Sequence, residues 1–115
     1  MKQHVFFAFR GDPMCFVHVL LNSLDLNKKR MGGKIIFEGE AVKLVPEMIN
    51  PDHFLNKLYA KVKEQNLIIG ACKACSSKLE VSDIIQGEGI PLIGAMMGHP
   101  AISDYIDQEY QILTF

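Results

Sequence analysis

The stretch LIIGACKACSSK, Leu67–Lys78, combines two patterns that decide the fold. Its first five residues, 67–71, are an apolar run without alternation, which is typical of a strand buried on both faces of a parallel sheet. The residues that follow are small or basic and include two cysteines three positions apart, Cys72 and Cys75. The pattern predicts a buried strand whose carboxyl end lies at Cys72, just ahead of a helix.

Similar apolar runs recur along the chain on both sides of this stretch. They cover residues 4–9, 34–37, 90–95 and 111–115. Helical patterns with apolar residues at i, i+3 and i+4 lie between them, and the resulting order is β-α-β-α-α-β-α-β-α-β. Strands that alternate with helices predict a parallel sheet covered on both faces. We therefore expect one α/β domain, 1–115, with a flavodoxin-like three-layer sandwich and five parallel strands in the order 2-1-3-4-5.

Composition and charge limit the partners of this domain. Of the 115 residues 49% are hydrophobic and 22% are charged, with a net charge of −1 and no block of like charge. Nucleic acid and anionic membranes are therefore poor candidates. The amino-terminal apolar run is too short for a signal peptide, so we expect a cytoplasmic protein with reduced cysteines.

Loops from several strands should meet Cys72 at the carboxyl edge of the sheet, where open parallel sheets place their chemistry. Arg10 follows the first strand and is a candidate anion contact, although pairing with a nearby carboxylate explains it equally well. Glu38 follows the second strand and either binds a ligand or starts a helix. His99 and Met97 follow the fourth strand, where His99 either acts as a base or caps the last helix, and Met97 lines the crevice.

The two cysteines are the strongest chemical signal. A thiol at a helix amino terminus faces the positive end of the helix dipole, and Lys73 and Lys78 add positive charge, so we expect a lowered pKa for Cys72. Cys75 is either a resolving partner for Cys72 or a small residue used for helix packing. A buried structural cysteine is the alternative reading of Cys72.

Two cofactor classes are disfavoured. A Cys-x-x-Cys zinc site needs two further ligands, and His99 is the only well-placed one, so we expect no metal. A flavin phosphate would need small or hydroxyl residues after the first strand, where the chain has Asp12 and Pro13. We therefore expect no cofactor.

Three segments resemble the DsrE/DsrF/TusD-like sulfur-relay family. They are FEGEAVKL at 37–44, ACKACSSKL at 71–79 and GIPLIGAM at 89–96. The resemblance implies that the cysteine directly after the third strand, Cys72, carries a persulfide and hands sulfur to a partner. It also implies assembly as a trimer or hexamer. Cys75 lies where relay members more often have a small residue.

The leading functional hypothesis is a cytoplasmic sulfur-relay protein with Cys72, Cys75 and His99 as catalytic residues. Its partners would be sulfur donor and acceptor proteins. The alternative is a non-catalytic ligand-binding or assembly module that keeps the same fold without using the thiol.

Overall fold

The structure, a computed structural model, describes residues 2–115. The strands are β1 Gln3–Ala8, β2 Gly32–Phe37, β3 Ile68–Cys72, β4 Leu92–Ile93 and β5 Tyr110–Thr114. The helices are α1 Pro13–Lys28, α2 Leu44–Ile49, α3 Asn56–Glu64, α4 Lys73–Lys78, α5 Ser82–Gly87 and α6 Ile102–Asp107, with a 3₁₀ turn at Gly39–Lys43. All strand pairs are parallel. The predicted α/β class, with five parallel strands in a flavodoxin-like three-layer fold, is confirmed.

The strand order differs from the predicted one. The sheet runs β4-β3-β2-β1-β5, whereas the sequence suggested 2-1-3-4-5. The difference arises because β3 pairs with β2, through Ile35↔Ile68 and Ile36↔Gly70, instead of with β1. Apolar runs predict burial, but they carry no information about which neighbour a strand chooses. The side chain of Lys34 also bonds the carbonyl of Asn66 at 2.9 Å, which joins β2 to the segment entering β3.

This order decides which helices cover each face of the sheet. The chain moves in one direction from β1 to β4, so right-handed crossovers place the intervening helices on one face. On that face Phe6 and Phe37 pack in the main core with Phe16 of α1. The chain then returns to β5 beside β1, and α6 covers the opposite face. There Phe7 packs edge-to-face on Tyr105.

Helix starts follow the sequence signals in part. Asp12 caps α1, since its side chain accepts a bond from the N–H of Met14 at 2.9 Å, with Pro13 in the first turn. Asn50 ends α2, its side chain accepts a bond from the N–H of Asp52 in a turn, and α3 starts at Asn56. The fourth helical segment is two helices, α4 and α5, separated at Glu80, which has a φ of 59°.

No helix within residues 2–115 has both the length and the apolar character needed to cross a membrane.

Candidate functional site

The adjacency of β2 and β3 brings together two residues that the sequence had placed in separate loops. Glu38 follows β2 directly and Cys72 is the last residue of β3. Both are buried, and Glu38 has 6% of its surface exposed and Cys72 none. Because parallel strands end at the same edge, neighbouring strands place these two side chains side by side. A carboxylate oxygen of Glu38 lies within 4.8 Å of Sγ of Cys72.

The β3–α4 junction positions both thiols. Cys72 is the N-cap residue of α4, and its Sγ accepts a bond from the backbone N–H of Cys75 at 3.4 Å. This is the position at a sheet edge and a helix start that the sequence predicts. Cys75 lies one helical turn further on and is partly exposed. Neither cysteine forms a disulfide within residues 2–115.

The loop after β4 brings His99 to the thiols. Its Nδ1 lies 3.1 Å from Sγ of Cys72 and 3.9 Å from Sγ of Cys75. The same Nδ1 lies 3.9 Å from Oε1 of Glu38. One ligand atom from each of the four residues lies within 4.8 Å of the other three. The structure therefore places His99 beside Cys72 and joins both to Cys75 and Glu38.

A tight turn holds the imidazole in this position. Met96 and His99 exchange two backbone hydrogen bonds, of 2.9 and 3.0 Å. Between them Gly98 has a φ of +94°, a conformation that side chains rarely adopt. The carbonyl of Gly98 accepts a bond from the N–H of Ala74 at 2.8 Å and lies 3.6 Å from Sγ of Cys72. The turn is thus tied directly to the start of α4.

The pKa of Cys72 is raised, and the expected lowering is wrong. Burial raises the pKa of the Cys72 thiol from 9.0 to about 12, although the N–H of Cys75 opposes the rise. The Cys75 thiol and the charge of Glu38 add to it. Lys73 and Lys78 are exposed, and α4 has only six residues. Loss of water around the sulfur therefore outweighs the helix dipole that the sequence argument relied on.

Glu38 is affected by the same burial. Desolvation raises the pKa of its carboxyl group, while the neighbouring Cys72 thiol and the charge of His99 act in the opposite direction. A buried carboxyl group, a buried thiol and an imidazole thus lie together in one cluster.

An apolar cavity of about 510 Å³ opens beside the cluster. Glu38 and His99 form its polar wall. Its other lining residues are Phe9, Met96, Pro100, Ile102 and Ser103. A small molecule in this cavity would contact the imidazole and the carboxyl group directly.

Two predicted site residues lie outside this cluster. Arg10 is exposed, and among residues 2–115 its guanidinium makes no ion pair or hydrogen bond. Met97 is 96% exposed, and Met96 lines the cavity in its place. Sequence reasoning did not single out Phe9 or Gly98. The position of Phe9 directly after a buried strand is a signal that could have identified it.

Comparisons with known proteins identify a relative in sequence and a solved structure of similar fold. No family model matches the chain. A solved structure, a conserved protein of unknown function, BT1422, from Bacteroides thetaiotaomicron, matches with a TM-score of 0.71 at 19% identity. The match covers 98% of this chain and 95% of that chain, and at this identity it is a likeness of fold.

A relative in sequence is the uncharacterized protein MJ0733 of Methanocaldococcus jannaschii. It is 33% identical over 97 residues, which are 84% of this chain and 77% of that protein. This identity over most of both chains shows common ancestry, and the chain belongs to the same family as MJ0733.

Proposed function

We propose that the protein is a cytoplasmic sulfur carrier of the DsrE-like type, which holds sulfane sulfur on Cys72 and passes it to a partner protein. The observation that carries the proposal is the 3.1 Å distance between Sγ of Cys72 and Nδ1 of His99. A thiol with a raised pKa rests protonated and needs a base when it reacts. An imidazole at hydrogen-bond distance is suited to that task.

Loading is a thiol exchange with a donor persulfide. As the donor docks, His99 takes the proton of the Cys72 thiol, and the thiolate attacks the outer sulfur of the donor. The S–S bond of the donor breaks and a new S–S bond forms on Cys72. The donor leaves as a thiolate and receives the proton from His99. The reaction moves one sulfur atom without net oxidation.

Unloading follows one of two paths. An acceptor thiolate attacks the outer sulfur, and Cys72 leaves as the thiolate. Alternatively, the Cys75 thiolate attacks Sγ of Cys72, which releases hydrosulfide and forms a Cys72–Cys75 disulfide. That disulfide would need a thiol reductant before the next cycle. The partly exposed Cys75 is the thiol that an incoming protein meets first, because Cys72 has no exposed surface.

The test is mass spectrometry of the reduced, chelator-treated protein with and without inorganic polysulfide as the sulfur donor. We expect a gain of one sulfur atom on the peptide that carries Cys72. Cys72→Ser should abolish it, and His99→Gln should slow loading without changing the labelled residue. Cys75→Ser should change only the lifetime of the persulfide.

Cys15→Ser is the matched control, because Cys15 lies near the start of α1, and we expect it to load like the wild type. The proposal fails if no sulfur is retained, or if Cys15 is labelled as strongly as Cys72.

A ligand-binding role is the second candidate, and the apolar cavity beside His99 favours it. The cavity volume of about 510 Å³ falls within the range of small-molecule sites, and its walls are mainly apolar with three polar side chains. Under this reading the buried thiol is structural. Heat-stability shifts with a panel of small carboxylic acids and thiols would support this role if Cys72→Ser leaves the shifts intact.

A further inference from the structure

We propose that the four converging side chains form a binding site for a thiophilic divalent transition-metal ion, with Zn²⁺ as the test ion. The ligand groups are Sγ of Cys72, Sγ of Cys75, Nδ1 of His99 and a carboxylate oxygen of Glu38. The sequence argument against a metal rested on the lack of a fourth ligand. Glu38 supplies that ligand, because β2 lies next to β3.

The separations between the ligand atoms suit a tetrahedral ion. Zn–S bonds of about 2.3 Å and Zn–N or Zn–O bonds of about 2.0–2.2 Å place ligand atoms roughly 3.3 to 3.8 Å apart in a tetrahedron. The imidazole nitrogen lies 3.1 and 3.9 Å from the two sulfur atoms and 3.9 Å from Oε1 of Glu38. All four atoms lie within 4.8 Å of one another. Closure around an ion therefore needs shifts of about 1 Å or less.

The chemistry of the donor set selects the class of ion. Two thiolates and an imidazole favour zinc and similar soft or borderline ions, whereas Mg²⁺ and Ca²⁺ require oxygen ligands. Four protein ligands leave no open position for substrate, which is typical of a structural or regulatory site.

The surroundings prepare the ligands for an ion. Three separate segments supply them: the end of β2, the β3–α4 junction and the turn after β4. The N–H of Cys75 already bonds Sγ of Cys72 at 3.4 Å, which would stabilise a metal-bound thiolate. The hydrogen bond from Ala74 to Gly98 ties the His99 turn to α4. The backbone therefore holds the donor atoms together before an ion arrives.

Metal binding goes beyond sulfur carriage and competes with it. Both uses require Sγ of Cys72, so a bound ion and a persulfide exclude each other. Metal binding would then prevent the protein from carrying sulfur.

Cobalt titration tests the site directly. The reduced, chelator-treated protein is titrated anaerobically with Co²⁺ in the presence of a phosphine reductant. We expect one Co²⁺ per chain, with thiolate-to-cobalt charge-transfer bands and the intense visible bands of tetrahedral cobalt. Stoichiometric Zn²⁺ should remove the bands by displacement.

Variants assign the ligands. Loss of an outer-shell partner already lowers metal affinity about 10- to 100-fold. We therefore expect Cys75→Ser and His99→Ala each to weaken Zn²⁺ binding at least that much, and Glu38→Gln to shift the cobalt spectrum. Cys15→Ser is the matched control and should bind like the wild type.

A second measurement needs no variant. In the wild type, Zn²⁺ should protect Cys72 and Cys75 from alkylation while Cys15 remains reactive. An octahedral cobalt spectrum without thiolate bands overturns the proposal, as does Zn²⁺ affinity that is unchanged in His99→Ala. The metal assay contains no sulfur donor and the persulfide assay contains a chelator, so each proposal can fail without the other.

Discussion

Cys72 combines complete burial with a position at the edge of the sheet, beside His99 and the partly exposed Cys75. Its sulfur receives the N–H of Cys75 and lies against His99 and the carbonyl of Gly98. Burial dominates its acidity, and under the proposed function the protected thiol reacts when His99 takes its proton.

Alkylation rates should reflect this protection. At neutral pH we expect iodoacetamide to modify Cys15 and Cys75, which are partly exposed, faster than Cys72. The rate at Cys72 should rise with pH, because its pKa is about 12 and only the thiolate reacts. Peptide mass spectrometry on chelator-treated protein measures each rate. Fastest labelling at Cys72 would contradict the raised pKa.

The same pKa predicts how stability changes at high pH. The folded pKa of Cys72 lies above the ordinary value of 9.0, so the unfolded chain loses this proton first. The contribution to stability is complete below about pH 9 and is lost as the pH rises toward about 12. The free energy of unfolding in urea should therefore fall above about pH 9.

The variant Cys72→Ala provides the comparison. Its slope of unfolding free energy against pH should be shallower than that of the wild type over this interval, whatever its starting stability. Tyr59, whose pKa is also raised by burial, remains in both proteins and contributes equally to both slopes. Identical slopes would show that Cys72 is not the titrating group.

Among the elements, the turn after β4 has the strongest effect on the site. Its Gly98 adopts a φ of +94°, and a Cβ there would lie 3.1 Å from Cβ of Ala74. We expect Gly98→Ala to destabilise the fold by about 1–2 kcal/mol and to displace His99 from Cys72. Urea denaturation and the persulfide and Zn²⁺ assays would measure both effects.

Gly87→Ala is the control for this substitution. Gly87 is the last residue of α5, and a Cβ there has no neighbour within 4 Å. Gly87→Ala should leave the results of the persulfide and Zn²⁺ assays unchanged. Its effect on the free energy of unfolding should be neutral or slightly stabilising. Equal losses in the two variants would mean that the turn does not position His99.

A second prediction concerns the contact between α3 and the end of α5. The hydroxyl of Tyr59 donates to Oε1 of Glu88 at 2.7 Å, and the Lys63 ammonium group lies 2.8 Å from the same oxygen. Tyr59→Phe removes one bond to a partly exposed charge and should cost about 1 kcal/mol of unfolding free energy.

Tyr110→Phe serves as its control, since within residues 2–115 the hydroxyl of Tyr110 forms no hydrogen bond, and it should be near neutral. If Tyr59→Phe lowers the free energy of unfolding no more than Tyr110→Phe does, the contact does not stabilise the fold.

At the scale of the whole molecule, the two cores bury some of the large apolar side chains and leave others exposed. Phe6 and Phe7 are fully buried in the two cores and need no partner. Phe115 is partly exposed, with its ring 5.5 Å from that of Phe6. Of the ten exposed large hydrophobic residues within residues 2–115, five lie near the site or on α6, and they are Phe9, Met96, Met97, Ile102 and Ile106.

We propose that copies of the chain associate and bury this apolar surface, and the resemblance to the sulfur-relay family implies a trimer or hexamer. Light scattering coupled to size exclusion at micromolar concentration would measure the mass. Ile106→Glu, at an exposed position on α6, should reduce the mass without unfolding the chain. A wild-type monomer would contradict the expectation.

Local patterns in the sequence determined the elements and the placement of the thiols. Continuous apolar runs marked the strands, because strands buried on both faces cannot alternate with polar residues. The end of such a run at Cys72 indicated a thiol at the carboxyl edge, and Pro100 placed His99 in a loop. These features depend on neighbours in the chain, so they could be predicted.

Only the tertiary structure decided the composition of the site and its acidity. Glu38 joins Cys72 because β2 pairs with β3, and the predicted order would have put β1 between them. The pKa of Cys72 depends on how completely water is excluded around the sulfur, which the spacing of charges along the chain does not specify. Strand pairing and burial depend on residues that are far apart in the chain. Chains with the same local pattern can therefore pair their strands in different orders and bury different residues.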